Sequence, residues 1–284
     1  MRWLVMAGLI FTATMARAQD YFGGFYYQTN GNAITITGSV PFPGPVYVPS
    51  NINGVPVTAI APDGINMDNV TFLDIPGSIT NMTSAFENGF DLLTVIIEDG
   101  VPAISDGAFD NCPSLVNVSI PDSVASIGTQ AFFNCQSLTN IVIPAGVTNL
   151  GYEAFCYTFG VTSVYFLGNP PPQNSFVFAG DYQATLFYLP ETSGWPFMYD
   201  ALYTLAWNPQ INPGANFGVR SNQFGFDITG TAGLAVTVEA STSPQLPGWS
   251  PQTTVVLTNG LYHFRDPVQS GAGASRFYRL AVPR

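Results

Sequence analysis

The stretch AFDNCPSLVNVSIPDSVASIGTQAFFNCQSL, residues 108–138, decides the fold: its first eight residues return almost unchanged at 131–138. The interval is 23 residues, and stepping it along the chain aligns whole columns. Phe86, Phe109, Phe132 and Phe155 form one column, each behind an alanine (Ala85, Ala108, Ala131, Ala154). Leu92, Leu115, Leu138 and Val161 form the next, then Val95, Val118, Ile141 and Val164, then Ile97, Ile120, Ile143 and Phe166. Val101, Val124 and Val147 follow, and after them Ile104, Ile127 and Leu150. Asn88, Asn111 and Asn134 make a polar column beside Gly89, Cys112 and Cys135. A period between about 20 and 50 residues marks a stacked array. No unit buries its apolar face alone, so several must pile up to close a core.

Strand alternation sets the direction of each side chain. In LVNVSIP (115–121) it sends Val118 and Ile120 inward and Asn117 and Ser119 outward. Stacked at about 4.8 Å, such strands make a parallel sheet along one face. Inside it, like residues meet like: a phenylalanine spine, an aliphatic ladder, and an Asn column able to bond the turn backbone. Pro76, Pro121 and Pro144 lack the N–H that would continue the strand ladder and so end it.

The pattern SLxNIxIPxxVxxIGxxAFxNCxSL resembles the bacterial BspA-like leucine-rich repeat. The likeness covers residues 46–168, about five coils, and is strongest over 116–150. Departures are local. MTSAF (82–86) is one residue short of ISDGAF, Glu98 stands where neighbouring units have proline, and AFCYTF loses the Asn-Cys pair. The resemblance implies a leucine-rich-repeat solenoid with short helical or irregular turns opposite the parallel sheet. Relatives in that family act as surface antigens and adhesins, so it also implies surface binding.

The remaining segments fit around this array. Residues 1–18 read as a signal peptide: Arg2, an apolar run from Trp3 to Ala13, then the small-residue site Ala16-Arg17-Ala18. That run is shorter than the ~20 residues of a membrane span, and no later stretch approaches one, so the expected location is extracellular or cell-surface. Residues 19–45 read as an N-terminal β cap, with an Asn30-Gly31 turn before an alternating strand. Residues 169–207 read as the opposite cap, with Trp195 and Trp207 in its core, and 208–216 as a linker. Residues 217–284 read as a small all-β domain, a sandwich, with a hairpin at Asn259-Gly260.

Charge narrows the partners. Charged residues are 9% of the chain, against about 25% in ordinary domains. There is no lysine, and from Gln19 to Asn216 there are fifteen acids and no arginine. Such a body repels phosphate backbones and anionic membranes, which excludes nucleic acid as a partner. The five arginines beyond Phe217 make the tail slightly basic. No motif for a nucleophile, a metal protease or a phosphate loop occurs. His263, the single histidine, reads as an ordinary strand residue. Cys112 and Cys135 lie on adjacent coils as core thiols, or as a bridge; Cys156 is off-column and unpaired. Glu98, Asp99, Asp106, Asp110 and Asp122 read as solvated acids, because no calcium loop surrounds them. No cofactor and no metal is expected.

The candidate binding residues are the outward positions of successive strands: Phe72 and Asp74, Thr94 and Ile96, Asn117 and Ser119, Asn140 and Val142, Ser163 and Tyr165. Apolar and aromatic anchors among polar neighbours suit recognition. The competing reading is a mildly apolar face covered by the caps or the tail domain. The expected function is non-catalytic binding or adhesion to an extracellular protein or glycan. The alternative is envelope anchoring, with the β-domain attaching the chain to the cell surface or export machinery and Arg265, Arg276 and Arg279 meeting anionic glycans.

Overall fold

The computed structural model describes residues 20–173, 176–214, 216–220, 223–245, 248–267 and 276–283; the signal-peptide reading of residues 1–18 lies outside them. The columns become contacts. Phe86, Phe109, Phe132, Phe155 and Phe178 stack ring on ring, with centroids 5.2–5.5 Å apart and planes within 4–13° of parallel. The spine thus runs one coil beyond the repeat as read from sequence. Asn134 donates its amide to the Asn111 side-chain oxygen at 2.8 Å, and Asn111 does the same to Asn88 at 2.7 Å. These three asparagines hold φ of 58–60°, a left-handed conformation that asparagine tolerates better than most residues.

Parallel strands line one face. Gly44–Tyr47, Val70–Ile75, Thr94–Ile97 and Asn117–Ser119 pair in series, with Leu73, Val95 and Val118 in register. Asn140–Ile143, Ser163–Phe166, Thr185–Tyr188 and Leu202–Ala206 form a second series. The parallel stack therefore continues through residues 185–206, inside the segment read as a cap. A second, shorter ladder joins Ala103–Ile104, Ser126–Ile127 and Asn149–Leu150. The sides opposite are irregular turns, and no helix occurs among the described residues. At the N-terminal end the hairpin of Phe25–Asn30 and Ala33–Ser39 pairs with Val55–Ile60 and shields the core.

Close approach between coils explains the glycine of the Ile-Gly motif. A Cβ on Gly151 would lie 2.3 Å from the Thr129 nitrogen and 2.4 Å from the Gly128 carbonyl carbon. Both are backbone atoms held by neighbouring coils, so Gly151→Ala is expected to lose about 1–3 kcal/mol in urea unfolding.

Cys112, Cys135 and Cys156 are free, buried thiols. Cys112 and Cys135 point at the carbonyls of Phe86 and Phe109, at 3.4 and 3.2 Å. Burial raises the Cys135 pKa well above the usual thiol value.

One buried acid adds a pH dependence. Asp181 is 2% exposed; one carboxyl oxygen meets the Thr158 hydroxyl at 2.6 Å and the other has no partner. Burial raises its pKa to about 7, partly opposed by the Thr158 hydrogen bond. The folded state therefore holds the proton after the unfolded chain has released it. The resulting stability is full at low pH and is lost as pH rises from about 4 through 7. The thermal midpoint is expected to fall over that window, by at most about 4 kcal/mol in stability, and Asp181→Asn should abolish the fall.

The C-terminal region forms two antiparallel sheets. One joins Gln210–Asn212, Gly218–Arg220, Gln223–Thr229 and Leu261–Pro267; the other joins Ala235–Ser241, Ser250–Val256 and Phe277–Ala281. The expected linker thus supplies an edge strand. The Asn259-Gly260 turn is not a hairpin: the strands on either side pair in different sheets. Buried Leu257 turns the chain into the space between them, bonding the Leu234 backbone at 2.8 Å. His263 faces Asp227 across paired strands, with Nδ1 2.6 Å from the carboxylate, and that contact lowers the Asp227 pKa.

Candidate binding face

The outward side chains of the parallel sheet divide into two halves. The C-terminal half is covered. Tyr165 is 1% exposed and stacks on Phe187 at 5.2 Å, and both join Phe226, Leu234 and Val236 of the C-terminal sheets in one apolar cluster. Ser163 is also buried, and Val142 packs against the same cluster. Tyr165 and Ser163, expected on an open face, are therefore not free to meet a ligand, whereas Val142 is only partly covered. The reason is physical: two aromatic rings in register make an apolar plate that the tail sheets cover. Trp207 belongs to this contact, donating Nε1–H to the Ala235 carbonyl at 3.1 Å. Trp195 lies in the solenoid end, stacked on Tyr188 at 5.3 Å.

The N-terminal half stays open. Ile96, Asn117, Ser119 and Asn140 are exposed, and Phe72, Asp74 and Thr94 are partly so. Tyr47, missed in the sequence, is 63% exposed and packs on Phe72 with centroids 5.6 Å apart. It sits in register beside Asp74 on the edge strand, where outward parity in VYV was its only sign. One Asp74 oxygen is buried without a partner; burial, then the nearby Glu98 carboxylate, raises its pKa.

Between the two halves the ladder breaks. Asn117–Ser119 ends one sheet and Asn140–Ile143 begins the next. A groove of about 710 Å³ opens there, lined by Thr94, Ile96, Asn117, Ser119, Asn140 and Val142, with Asp99 and Asp122 at one end and Thr254 and Pro283 of the tail at its border. Val118 and Ile120 line it too, half-buried, whereas Val95, Ile97, Ile141 and Ile143 in equivalent places are 0–2% exposed. Six of the ten expected positions thus meet in one groove. Among the described residues, no three His, Cys, Asp or Glu side chains are placed to hold a metal ion.

Two of the arginines considered for anionic glycans are already paired. Arg276 lies 3.1 Å from Asp266; Arg279 lies 2.6 Å from Glu239 and sits 4.6 Å over the Trp249 ring.

The repeat geometry agrees with comparison to known proteins. Residues 63–184 match the model for the BspA type leucine rich repeat region, in six copies. This region is similar to BspA-type leucine-rich repeats. The matched residues take in the Phe178 coil, beyond the limit read from sequence. A leucine-rich repeat protein from Bacteroides ovatus is similar in fold at 22% identity and TM-score 0.50, over 66% of this chain and 55% of that one. The chain thus spans just over half the length of that relative. The Treponema pallidum leucine-rich repeat protein aligns at 23% identity and TM-score 0.41 over 60% of this chain and 71% of its own. Pneumococcal vaccine antigen PcpA aligns at 16% identity and TM-score 0.36 over 67% and 70%. No curated protein matches the sequence at a significant level.

Proposed function

We propose that this chain is an exported, non-catalytic protein that captures an extracellular protein or glycan on the uncovered half of its repeat sheet. The observation that carries the reading is the coexistence, on one face, of an aromatic pair, exposed Tyr47 and partly exposed Phe72, with the polar-lined groove from Ile96 to Asn140. Stacked strands present such faces for recognition, and aromatic anchors supply most of the energy where they bind. The leader-like N-terminal segment and the acidic, lysine-free body fit work outside the cell. We read the two C-terminal sheets as a small β-sandwich that shields the apolar end of the repeat face. The anchoring alternative is weaker, because Arg276 and Arg279 are neutralised by acids of their own domain.

The test is a glycan and extracellular-protein array probed with the whole chain. The double variant Tyr47→Ala, Phe72→Ala should capture the wild-type hits at least about 10-fold less well while melting within a few degrees of wild type. Unchanged capture would remove the face from the account.

A further inference from the structure

Aromatic side chains crowd the turns of the last coils, where the repeat elsewhere places smaller or polar residues. Tyr152 follows Asp106 and Thr129 in its column, and Tyr157 follows Asn111 and Asn134. Phe159 follows Pro113 and Gln136, and Phe176 follows Gln130 and Glu153; Tyr182 stands one step beyond Phe159. These rings remain open to solvent: Tyr152 and Tyr157 are 45% exposed, Phe176 55%, Phe159 56% and Tyr182 82%. They also touch one another. Half-buried Phe133 meets the Tyr157 ring edge-on at 5.3 Å, Tyr157 meets Phe159 at 5.7 Å, and Tyr152 meets Phe176 at 5.9 Å. A Cβ on Gly180 would lie 3.0 Å from the Tyr157 ring and 3.3 Å from that of Phe159, so bare glycine in the following coil leaves room for both rings.

The fold does not call for these rings. Tyr157 holds φ of 61° and Phe176 of 67°, left-handed values that are costly for bulky residues. Asn88, Asn111 and Asn134, in the Tyr157 column, take the same conformation at less cost and bond one another, and Tyr157 ends that series. Aromatic residues kept in strained positions outside the core mark a surface held for contact. The charge around them has one sign. Glu153 lies on the turn between Tyr152 and Tyr157, accepts a hydrogen bond from Gln130 at 2.7 Å, and is the main cause of a raised Tyr152 hydroxyl pKa. The buried Cys156 thiol is pushed up to about 11, first by burial and then by the carboxylates of Glu153, Asp181 and Asp200, so three acids converge on this coil. From Gln19 to Asn216 no arginine or lysine occurs to answer them.

Ring faces are negative, and beside carboxylates they attract cations. The tail shows the same pairing within this chain. Arg279 lies 4.6 Å over the Trp249 ring while bonding Glu239 at 2.7 Å, and Arg276 lies 5.8 Å from the Tyr278 ring and 3.1 Å from Asp266. A guanidinium is flat, stacks on aromatic faces and is less hydrated than an ammonium, which suits an open ridge; a compact quaternary ammonium is held by a cage of rings. We propose that the ridge of Phe133, Tyr157, Phe159 and Tyr182 binds arginine side chains of a partner polypeptide, their guanidinium planes laid on the rings and turned towards Glu153. The site lies on the turns, apart from the sheet face, and does not depend on what that face captures.

The test uses the full chain and a fluorescent peptide, acetyl-Gly-Arg-Ser-Arg-Ser-Arg-Gly-amide, with versions carrying lysine or uncharged citrulline in place of arginine. The arginine peptide should bind, the lysine peptide should bind about 5-fold less well or worse, and the citrulline peptide should not bind. The double variant Tyr157→Asn, Phe159→Gln gives the fourth coil the residues that the third carries at Asn134 and Gln136. It should weaken the arginine peptide about 10-fold or more. It should also melt no lower than wild type, because asparagine suits the left-handed position, and this separates a lost site from a lost fold. Equal binding of the arginine and lysine peptides would reduce the contact to net charge and overturn the inference, as would binding of the citrulline peptide or unchanged affinity in the double variant. A double variant melting well below wild type would overturn it by giving the rings a structural role. Self-association of the wild type in sedimentation, lost in Arg265→Gln, would make the occupant a second copy of this chain and overturn the assignment to a partner.

Discussion

Phe132→Ala should cost about 3–5 kcal/mol, and urea unfolding should shift to markedly lower concentration. Phe132 is fully buried and touches a ring on each side, at 5.2 Å to Phe109 and 5.2 Å to Phe155. Removing it leaves a cavity that cannot collapse, because the coils above and below are held by backbone bonds from Phe109 N–H to the Ala131 carbonyl and from Phe132 N–H to the Ala154 carbonyl. In a stacked array each unit depends on its neighbours, so a central loss uncouples both halves. Phe86→Ala removes a ring that has one stacked neighbour, Phe109. It should therefore cost less than Phe132→Ala. Equal costs at the two positions would mean that coil-to-coil stacking is not what holds the array.

Tyr165→Glu should separate the tail from the repeat array. The substitution places a carboxylate in a buried apolar cluster with Phe187, Phe226 and Leu234, where an unpaired charge costs several kcal/mol. The tail sheets keep their own contacts, including Phe226 on Phe264 at 4.9 Å and Phe224 on Tyr278 at 5.1 Å. The expected result is a single cooperative melt that becomes two transitions, with faster proteolysis between residues 207 and 217. A variant with one transition and wild-type proteolysis would show that the tail does not rest on this ring.

How much was legible follows from which contacts repeat. The phenylalanine, valine and asparagine columns are visible because every coil meets a copy of itself and so needs the same residue at the same place. Phe178 sits 23 residues after Phe155 but follows Val177 in place of alanine, and the lapse of that marker hid the last coil. Asp181 is likewise one step after Thr158, its hydrogen-bond partner. Covering of Tyr165 involves a contact made once, between unlike elements, and periodicity carries no record of such contacts. Its one trace is two outward aromatics in register, Tyr165 and Phe187. The parted ladder is hidden for a different reason. Val118 and Ile120 have the same residue types as their buried equivalents, so their exposure is set by backbone pairing. Pro144 cannot donate to the coil before it, as Leu167 does to Ile143. Yet Pro121 has the same defect and its strand still pairs, so proline alone does not foretell the break.

The division of one sheet into an open and a covered half is tested most directly by hydroxyl-radical footprinting of the intact chain, read residue by residue by mass spectrometry. Two tyrosines on the same face provide the comparison: Tyr47, 63% exposed, and Tyr165, 1% exposed. Rapid oxidation of Tyr47 and Ile96 with Tyr165 and Phe187 left intact is the predicted pattern. Tyr165 oxidised as fast as Tyr47 would contradict it.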